Sequence, residues 1–312
     1  MIVAKTPLRL TLGGGGSDLP GFYEKHGGFW ITAAIDKYVY VLVKDHFESN
    51  IRVSYSQLEF ASRPDEIQHG VIREALKMFA INSNFEVSSI ADVPSGTGLG
   101  SSGSFTVALL GALNRYADKV DRMLPETAYR LEQENLNRLT GRQDHYAAYF
   151  GGCRAYKLSK NGTIDYEHIN LDGLPNHLSL FYTETTRNSN HLLDKVRDAE
   201  ETMLEIKRIG HESYCALKNQ DYGHFGELMH QHWMLKRSIS DEMSKGYIDK
   251  CYDHALKHGA IGGKLVGAGG GGFMLLVSAD EKGQCKLLHE LSAFLRYVPF
   301  GFTQTGLEVR EV

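Results

Sequence analysis

The first third of the chain is patterned for strands. Residues 2–4, 8–12, 38–43 and 51–55 are β-branched or alternating runs. Residues 65–80 then place Ile67, Val71, Ala75, Met78 and Phe79 at helical spacing, and 85–90 reads as a short strand. After a glycine-rich stretch, Phe105, Ala108, Leu109, Ala112, Leu113 and Tyr116 share one face of an amphipathic helix. Pro125 opens another helix, as proline does at a first helical position. Its stripe of Ala128, Leu131, Leu136 and Leu139 predicts that it runs on to Gly141. A short apolar helix over 146–150 follows, begun at Asp144, and strand patterning resumes at 153–158, 163–169 and 178–182. From 190 onward the pattern is mostly helical, at 190–218, 221–238 and 242–258. Strands at 261–266 and 273–277, a helix at 282–296 and a last strand at 306–310 complete the chain. Strands flanking helices in the second half predict an α+β fold of two domains, residues 1–170 and 171–312.

The stretch 94–103, Pro-Ser-Gly-Thr-Gly-Leu-Gly-Ser-Ser-Gly, feeds the helix that starts near Ser101. A helix start offers unpaired N–H groups and the positive end of its dipole, and glycines let a phosphate come close to that backbone. A plain turn needs one glycine rather than four, so the stretch reads as a phosphate cradle. Gly98 to Gly103 matches G-x-G-x-x-G, but a dinucleotide loop follows a buried apolar strand. Here 88–94 is polar, and 118–122 after the helix is not an apolar strand. No lysine follows the last glycine, which excludes a Walker A loop. Neither serine has the flanking glycines of a nucleophile elbow.

Three other places carry candidate chemistry. Gly13 to Gly16, followed by Ser17 and Asp18, is a run costly in chain entropy that suits close approach of a ligand or another backbone. Glu132 falls inside an apolar helical stripe, where its charge needs either a buried salt bridge or a metal ion. Asp144 at a helix start is either a dipole-stabilised carboxylate or a general base.

The formal net charge of −4 argues against a nucleic-acid partner. No apolar run reaches the roughly 18 residues of a membrane span, and the chain opens without a signal pattern. Cys153, Cys215, Cys251 and Cys285 are widely spaced and read as reduced thiols in a cytoplasmic protein. Of the 14 histidines, His230 and His232 are two apart on a helix and point in different directions, and no H-E-x-x-H spacing occurs. The histidines therefore read as surface or core residues.

Taken together and in order, these motifs resemble those of the GHMP sugar and metabolite kinases. Residues 94–103 are similar to that family's P-x-x-x-G-L-G-S-S-[AG] phosphate loop, and Pro7-Leu8-Arg9 with Asp18 to its N-terminal motif. Glu132 and Asp144 resemble its metal-ligand glutamate and catalytic aspartate, and 264–273 its C-terminal glycine motif. Galactokinases carry Glu-His where this chain has Gly15-Gly16, which argues against galactose. The Gly-Gly-Gly-Ser-Asp form, the block 143–148 and Thr186-Arg187-Asn188-Ser189 look like the members acting on D-glycero-D-manno-heptose 7-phosphate. The fucose kinases are the nearest competitors. His145 stands where glutamine is common in these families.

The resemblance implies an N-terminal α/β domain joined to a ferredoxin-like C-terminal domain, with substrates between them. It implies that Pro94, Gly96, Gly98, Leu99, Gly100, Ser101, Ser102 and Gly103 hold ATP, and that Ser102 and Glu132 bind Mg²⁺. Asp144 would take or orient the proton of an anomeric hydroxyl, with Arg9 supporting it. Gly13, Gly14, Gly15, Gly16, Ser17, Asp18, Arg187, Gly269 and Gly270 would contact the sugar. A homodimer is an open expectation. A non-catalytic sensor of the same fold would be expected to carry a damaged site, whereas Ser102, Glu132, Asp144 and Arg9 are all chemically competent.

Overall fold

The computed structural model describes residues 1–184, 190–244 and 246–312. The first half contains β1 (Ile2–Gly13), α1 (Tyr23–His26), β2 (Gly28–Asp45), β3 (Ile51–Ser54), β4 (Leu58–Ala61), α2 (Gly70–Met78), β5 (Phe85–Ala91) and α3 (Ser101–Tyr116). It continues with α4 (Leu124–Arg130), α5 (Gln143–Phe150), β6 (Cys153–Leu158) and β7 (Ile164–His168). The second half holds β8 (Leu178–Tyr182), α6 (Asn190–Asp198), α7 (Glu200–Lys218), α8 (Tyr222–Ile239) and α9 (Gly246–Lys257). After these come β9 (Ala260–Leu265), β10 (Phe273–Ser278), α10 (Glu281–Leu291), β11 (Arg296–Tyr297) and β12 (Glu308–Glu311).

Two sheets organise the described residues. One runs β12-β1-β2-β5-β3-β4, with β6 on the first half of β2 and β7 beyond it; the other runs β11-β8-β10-β9. The sequence separates residues 2–4 from 8–12, but a single strand, β1, spans both and passes through Pro7. Proline has no N–H for the ladder, and the β1–β2 register shifts between Pro7 and Leu8, which is where a sheet tolerates it. β2 is long enough to pair with β1 along its length, with β6 at its start and with β5 at its end. The last strand, β12, lies antiparallel to β1, so the chain returns to the first sheet after building the second.

α3 packs across β1 and β2 with residues 106–113 buried, in a core shared with α2 and α4. α7 and α8 cover the other side, where Leu8, Leu10 and Leu12 join Ile209, Leu217, Phe225 and Leu228. Three helices depart from the sequence expectation, one of them the run 282–296, where α10 ends at Leu291 and Arg296 enters β11. The helix begun at Pro125 does not reach Gly141: α4 passes at Leu131 into one wider π turn that ends at Asn135. Such turns insert a residue into the helical ladder, and a 3.6-residue stripe cannot foresee it. The run 190–218 is two helices divided at Ala199, whose ψ of 58° is not helical.

Candidate active site

A cleft opens where β1, the N-terminus of α3, the start of α5 and the loop after β9 converge. Its floor is set by two glycine loops that press on each other. Gly96, Gly98 and Gly100 have φ of +73°, +88° and +80°, the left-handed region. A methyl group at Gly98 would collide with the Val266 carbonyl oxygen, and one at Gly267 would lie 2.5 Å from the Gly98 Cα. The loops are tied to the sheets by Arg9 N–H donating to the Leu99 carbonyl (3.0 Å) and Phe273 N–H to that of Thr97 (3.3 Å). Gly100 caps α3, so the free N–H groups of the first turn face the cleft beside Ser101 and Ser102.

Two carboxylate clusters flank that helix start. Arg9 on β1, almost fully buried, donates from Nε (2.8 Å) and Nη2 (2.6 Å) to Asp144 Oδ1, and from Nη1 to the Gly98 carbonyl (2.5 Å). Asp144, in the first turn of α5, is packed against Gly103 so closely that a Cβ there would lie 2.6 Å from its own. On the other side of α3, Glu132 in the π turn is buried. Its Oε2 accepts from Ser102 Oγ (3.1 Å), and its Oε1 from Thr106 Oγ1 (2.5 Å) and His145 Nε2 (3.3 Å). Burial opposes the Glu132 charge, yet the hydrogen bond and charge of His145, with Thr106, hold its carboxyl below the usual range. Burial likewise works against an imidazolium at His145, and the Glu132 hydrogen bond and charge outweigh it, raising its pKa.

A third carboxylate, Asp18, accepts from the Gln143 N–H (2.9 Å) and is buried beneath Gly141. Burial pushes its pKa up, opposed by that N–H and reinforced by the nearby Asp144 charge. Gln143 also faces β1, where its Oε1 accepts from Thr11 Oγ1 (3.1 Å). Across the cleft stand Lys264, Lys236 and His232. Burial first, and then the Arg9 charge, brings Lys264 from its ordinary 10.5 down to about 7. Lys236 donates to the Gly267 carbonyl. His232 is pushed well below 6.5, by burial and then by the two lysines, which makes it a neutral ring at pH 7.

Many of the residues expected from sequence meet here. Arg9, Asp18, Gly15, Gly16, Gly96, Gly98, Gly100, Ser101, Ser102 and Asp144 line the cleft, and Glu132 sits directly behind Ser102. Others do not reach the wall. Gly13 and Gly14 are buried: a Cβ on Gly13 would crowd Ser213 and Gly210 of α7, while one on Gly14, at φ +66°, would strike the Phe29 carbonyl of β2, so packing explains their lack of side chains. Ser17 Oγ is spent on the carbonyls of Gly14 and Phe29, at 2.7 Å each. Gly269 and Gly270 pack on Met243. Pro94 is exposed away from the cleft, Leu99 is in the core, and Gly103 gives Asp144 its room. Arg187 lies outside the described residues. Thr11 and Lys236 had no site role in the sequence reading, Gln143 and Lys264 stood in the motifs 143–148 and 264–273 without a role of their own, and His232 was read as a surface or core residue. The available signal was Lys264, a lone lysine in the otherwise uncharged run 260–277.

The donors fit the groups that a phosphoryl-transfer site holds. A hydroxyl and a carboxylate oxygen 3.1 Å apart, at Ser102 and Glu132, are the hard oxygen ligands Mg²⁺ takes. The helix start beside them suits phosphate oxygens.

Comparison with known proteins agrees. Residues 68–152 match the GHMP kinases N terminal domain, and residues 215–296 match the GHMP kinases C terminal domain. The D-glycero-alpha-D-manno-heptose 7-phosphate kinase of Campylobacter jejuni is 29% identical, over 98% of this chain and 98% of that protein. A mevalonate kinase of Methanothermobacter thermautotrophicus is 28% identical, over 78% of this chain and 82% of its own length. The crystal structure of a D-glycero-D-manno-heptose 1-phosphate kinase from Bacteroides thetaiotaomicron shares the fold, with a TM-score of 0.82 at 23% identity over 100% of this chain and 99% of that one.

Proposed function

The chain belongs to the GHMP kinases, and on that footing we propose that this ATP-dependent sugar kinase phosphorylates the anomeric hydroxyl of D-glycero-D-manno-heptose 7-phosphate, giving the 1,7-bisphosphate. The observation that carries the chemistry is the Arg9–Asp144 pair beside the α3 N-terminus, backed by Ser102 and Glu132. What favours a heptose phosphate as acceptor is the likeness to the C. jejuni enzyme along the whole length of both chains.

Phosphoryl transfer asks mostly for positioning and for neutralising charge. The N–H groups at the start of α3 and the Ser101 and Ser102 hydroxyls hold the ATP phosphates. Ser102 and Glu132 hold Mg²⁺, which when bound neutralises phosphate charge. Asp144 accepts the proton of the acceptor hydroxyl, and because Arg9 engages its Oδ1, Oδ2 is the oxygen turned to that task. Arg9 keeps the carboxylate oriented, and Lys264 gains a charge partner once a phosphate enters the cleft. Asp18, Gly15 and Gly16 border the sugar, and Arg187 with its neighbours in Thr-Arg-Asn-Ser supplies donors for the distal phosphate. Two domains divided near residue 170, action in the cytoplasm and a homodimer belong to the same proposal.

The test is ADP release measured by a coupled assay across heptose 7-phosphate, the unphosphorylated heptose, L-fucose and mevalonate. The phosphorylated heptose should give the highest kcat/KM. A neutral sugar as the best acceptor would overturn the heptose phosphate assignment and leave the kinase standing.

A further inference from the structure

On the face of the four-stranded sheet away from the cleft, α9 and α10 pack together through Ala255, Leu287 and Leu291, all fully buried. At the rim of that contact three side chains converge without bonding to one another. His254 Nε2 is 3.8 Å and His258 Nε2 is 3.9 Å from the same oxygen, Glu290 Oε2, and the three ligand atoms all lie within 4.8 Å of each other. Those gaps are too long for hydrogen bonds. They are close to the spacing, about 3.3–3.4 Å, that bonds of roughly 2.0–2.1 Å impose on neighbouring ligands of a tetrahedral ion.

The ring chemistry is already arranged for a metal. His258 Nδ1 lies 2.8 Å from the His254 carbonyl oxygen. A carbonyl only accepts, so Nδ1 carries the hydrogen and Nε2 of the neutral ring keeps its lone pair. A ligating histidine is usually held in this way by a backbone oxygen on its other nitrogen. His254 Nε2 is buried and has no hydrogen-bond partner. Its ring is set between His258 (centroids 4.0 Å apart) and Phe294 (5.5 Å, edge-on at 73°). His254 stands in the last turn of α9 and His258 just past its end, where the chain turns back with His258 N–H donating to the Ala255 carbonyl (3.0 Å), and Glu290 comes from α10. All three side chains are about one-third exposed, so the cluster lies at the surface although His254 Nε2 itself is covered.

We propose that His254, His258 and Glu290 form a binding site for one divalent transition-metal ion of the zinc class, with water in the fourth position, linking α9 to α10. Two imidazoles and one carboxylate select zinc-like ions over Mg²⁺ and Ca²⁺, which prefer oxygen ligands. None of the three residues lines the cleft, so the site is separate from the one that holds ATP.

The test uses full-length protein without an affinity tag, dialysed against chelator and titrated with zinc chloride by calorimetry and by thermal unfolding. One ion should bind per chain. At a hundredfold excess of zinc over its Kd the unfolding midpoint should rise by about 5 °C. His254→Gln, His258→Gln and Glu290→Gln should each weaken binding at least tenfold. Their unfolding midpoints in chelator and their Mg²⁺-supported kinase rates should stay near those of the wild type. Glu132→Gln should bind zinc as the wild type does. No zinc binding at 100-fold molar excess would overturn the proposal. So would binding that survives all three substitutions, or binding lost only in Glu132→Gln, either of which places the ion elsewhere.

Discussion

Arg9 closes both Nε and Nη2 on a single oxygen of Asp144, at 2.8 and 2.6 Å, while its third nitrogen is held by the Gly98 carbonyl. Residues 135 positions apart thus form one rigid unit, tied on one side to the phosphate-facing loop and on the other to the start of α5. Asp144→Asn should keep the fold and ATP binding, and should lower kcat by roughly 10² or more, as expected for a lost base. Near-normal turnover with an unchanged unfolding midpoint would remove Asp144 from the reaction.

Glu132 and Glu134 lie two residues apart in the same π turn, one buried behind Ser102 and the other exposed. Glu132→Gln should raise the Mg²⁺ concentration for half-maximal rate by about tenfold or more, since a magnesium ligand is lost. Glu134→Gln should leave it unchanged. The readout is a Mg²⁺ titration of initial rate at saturating ATP, and equal responses would place the ion away from Glu132.

The contact between the two glycine loops predicts a stability effect. Gly98→Ala introduces a methyl group at φ +88° directly against the Val266 carbonyl and should cost roughly 2–4 kcal/mol. Gly246→Ala, where nothing lies within 4 Å, should change stability by no more than about 0.5 kcal/mol or raise it. Urea unfolding of the two variants compares them directly.

Much of this was legible in the sequence, for identifiable reasons. The stripe that carries Glu132 into the protein could be read because Ala128 and Leu131 set the buried side before the helix widens. What followed could not: the π turn at 131–135 depends on Glu132 finding Ser102, Thr106 and His145, all distant in sequence. The quadruple glycines looked like ligand contacts. At Gly13 they answer instead to Ser213 and Gly210 on α7, and at Gly14 to the Phe29 carbonyl on β2, partners no local pattern reveals. Lys264 was visible as a lone charge in an uncharged stretch, but its place on the cleft wall depends on β9 meeting the phosphate-facing loop. The sequence expectation of no H-E-x-x-H or equivalent spacing missed His254 and His258, which stand four residues apart as in that motif but without its glutamate.

Lys264 gives a pH prediction. In the folded protein it loses its proton near pH 7, and in the unfolded chain near its ordinary 10.5. Between those values the unfolded state binds more protons, so this position makes stability rise with pH across that window. Lys264→Met should therefore be more stable than the wild type at pH 7, and the advantage should shrink as pH approaches 10. Urea unfolding at several pH values measures it, and a constant difference would mean that Lys264 keeps its charge in the folded cleft.

Phosphorus NMR of the product reads which hydroxyl is phosphorylated. With ATP, Mg²⁺ and D-glycero-D-manno-heptose 7-phosphate, a new phosphate signal coupled to the anomeric proton should appear. The 7-phosphate signal should be retained, and one ADP should form per molecule of product. A new phosphate on any other carbon, or no product from this acceptor while a neutral sugar is phosphorylated, would contradict transfer to the anomeric hydroxyl of the heptose 7-phosphate.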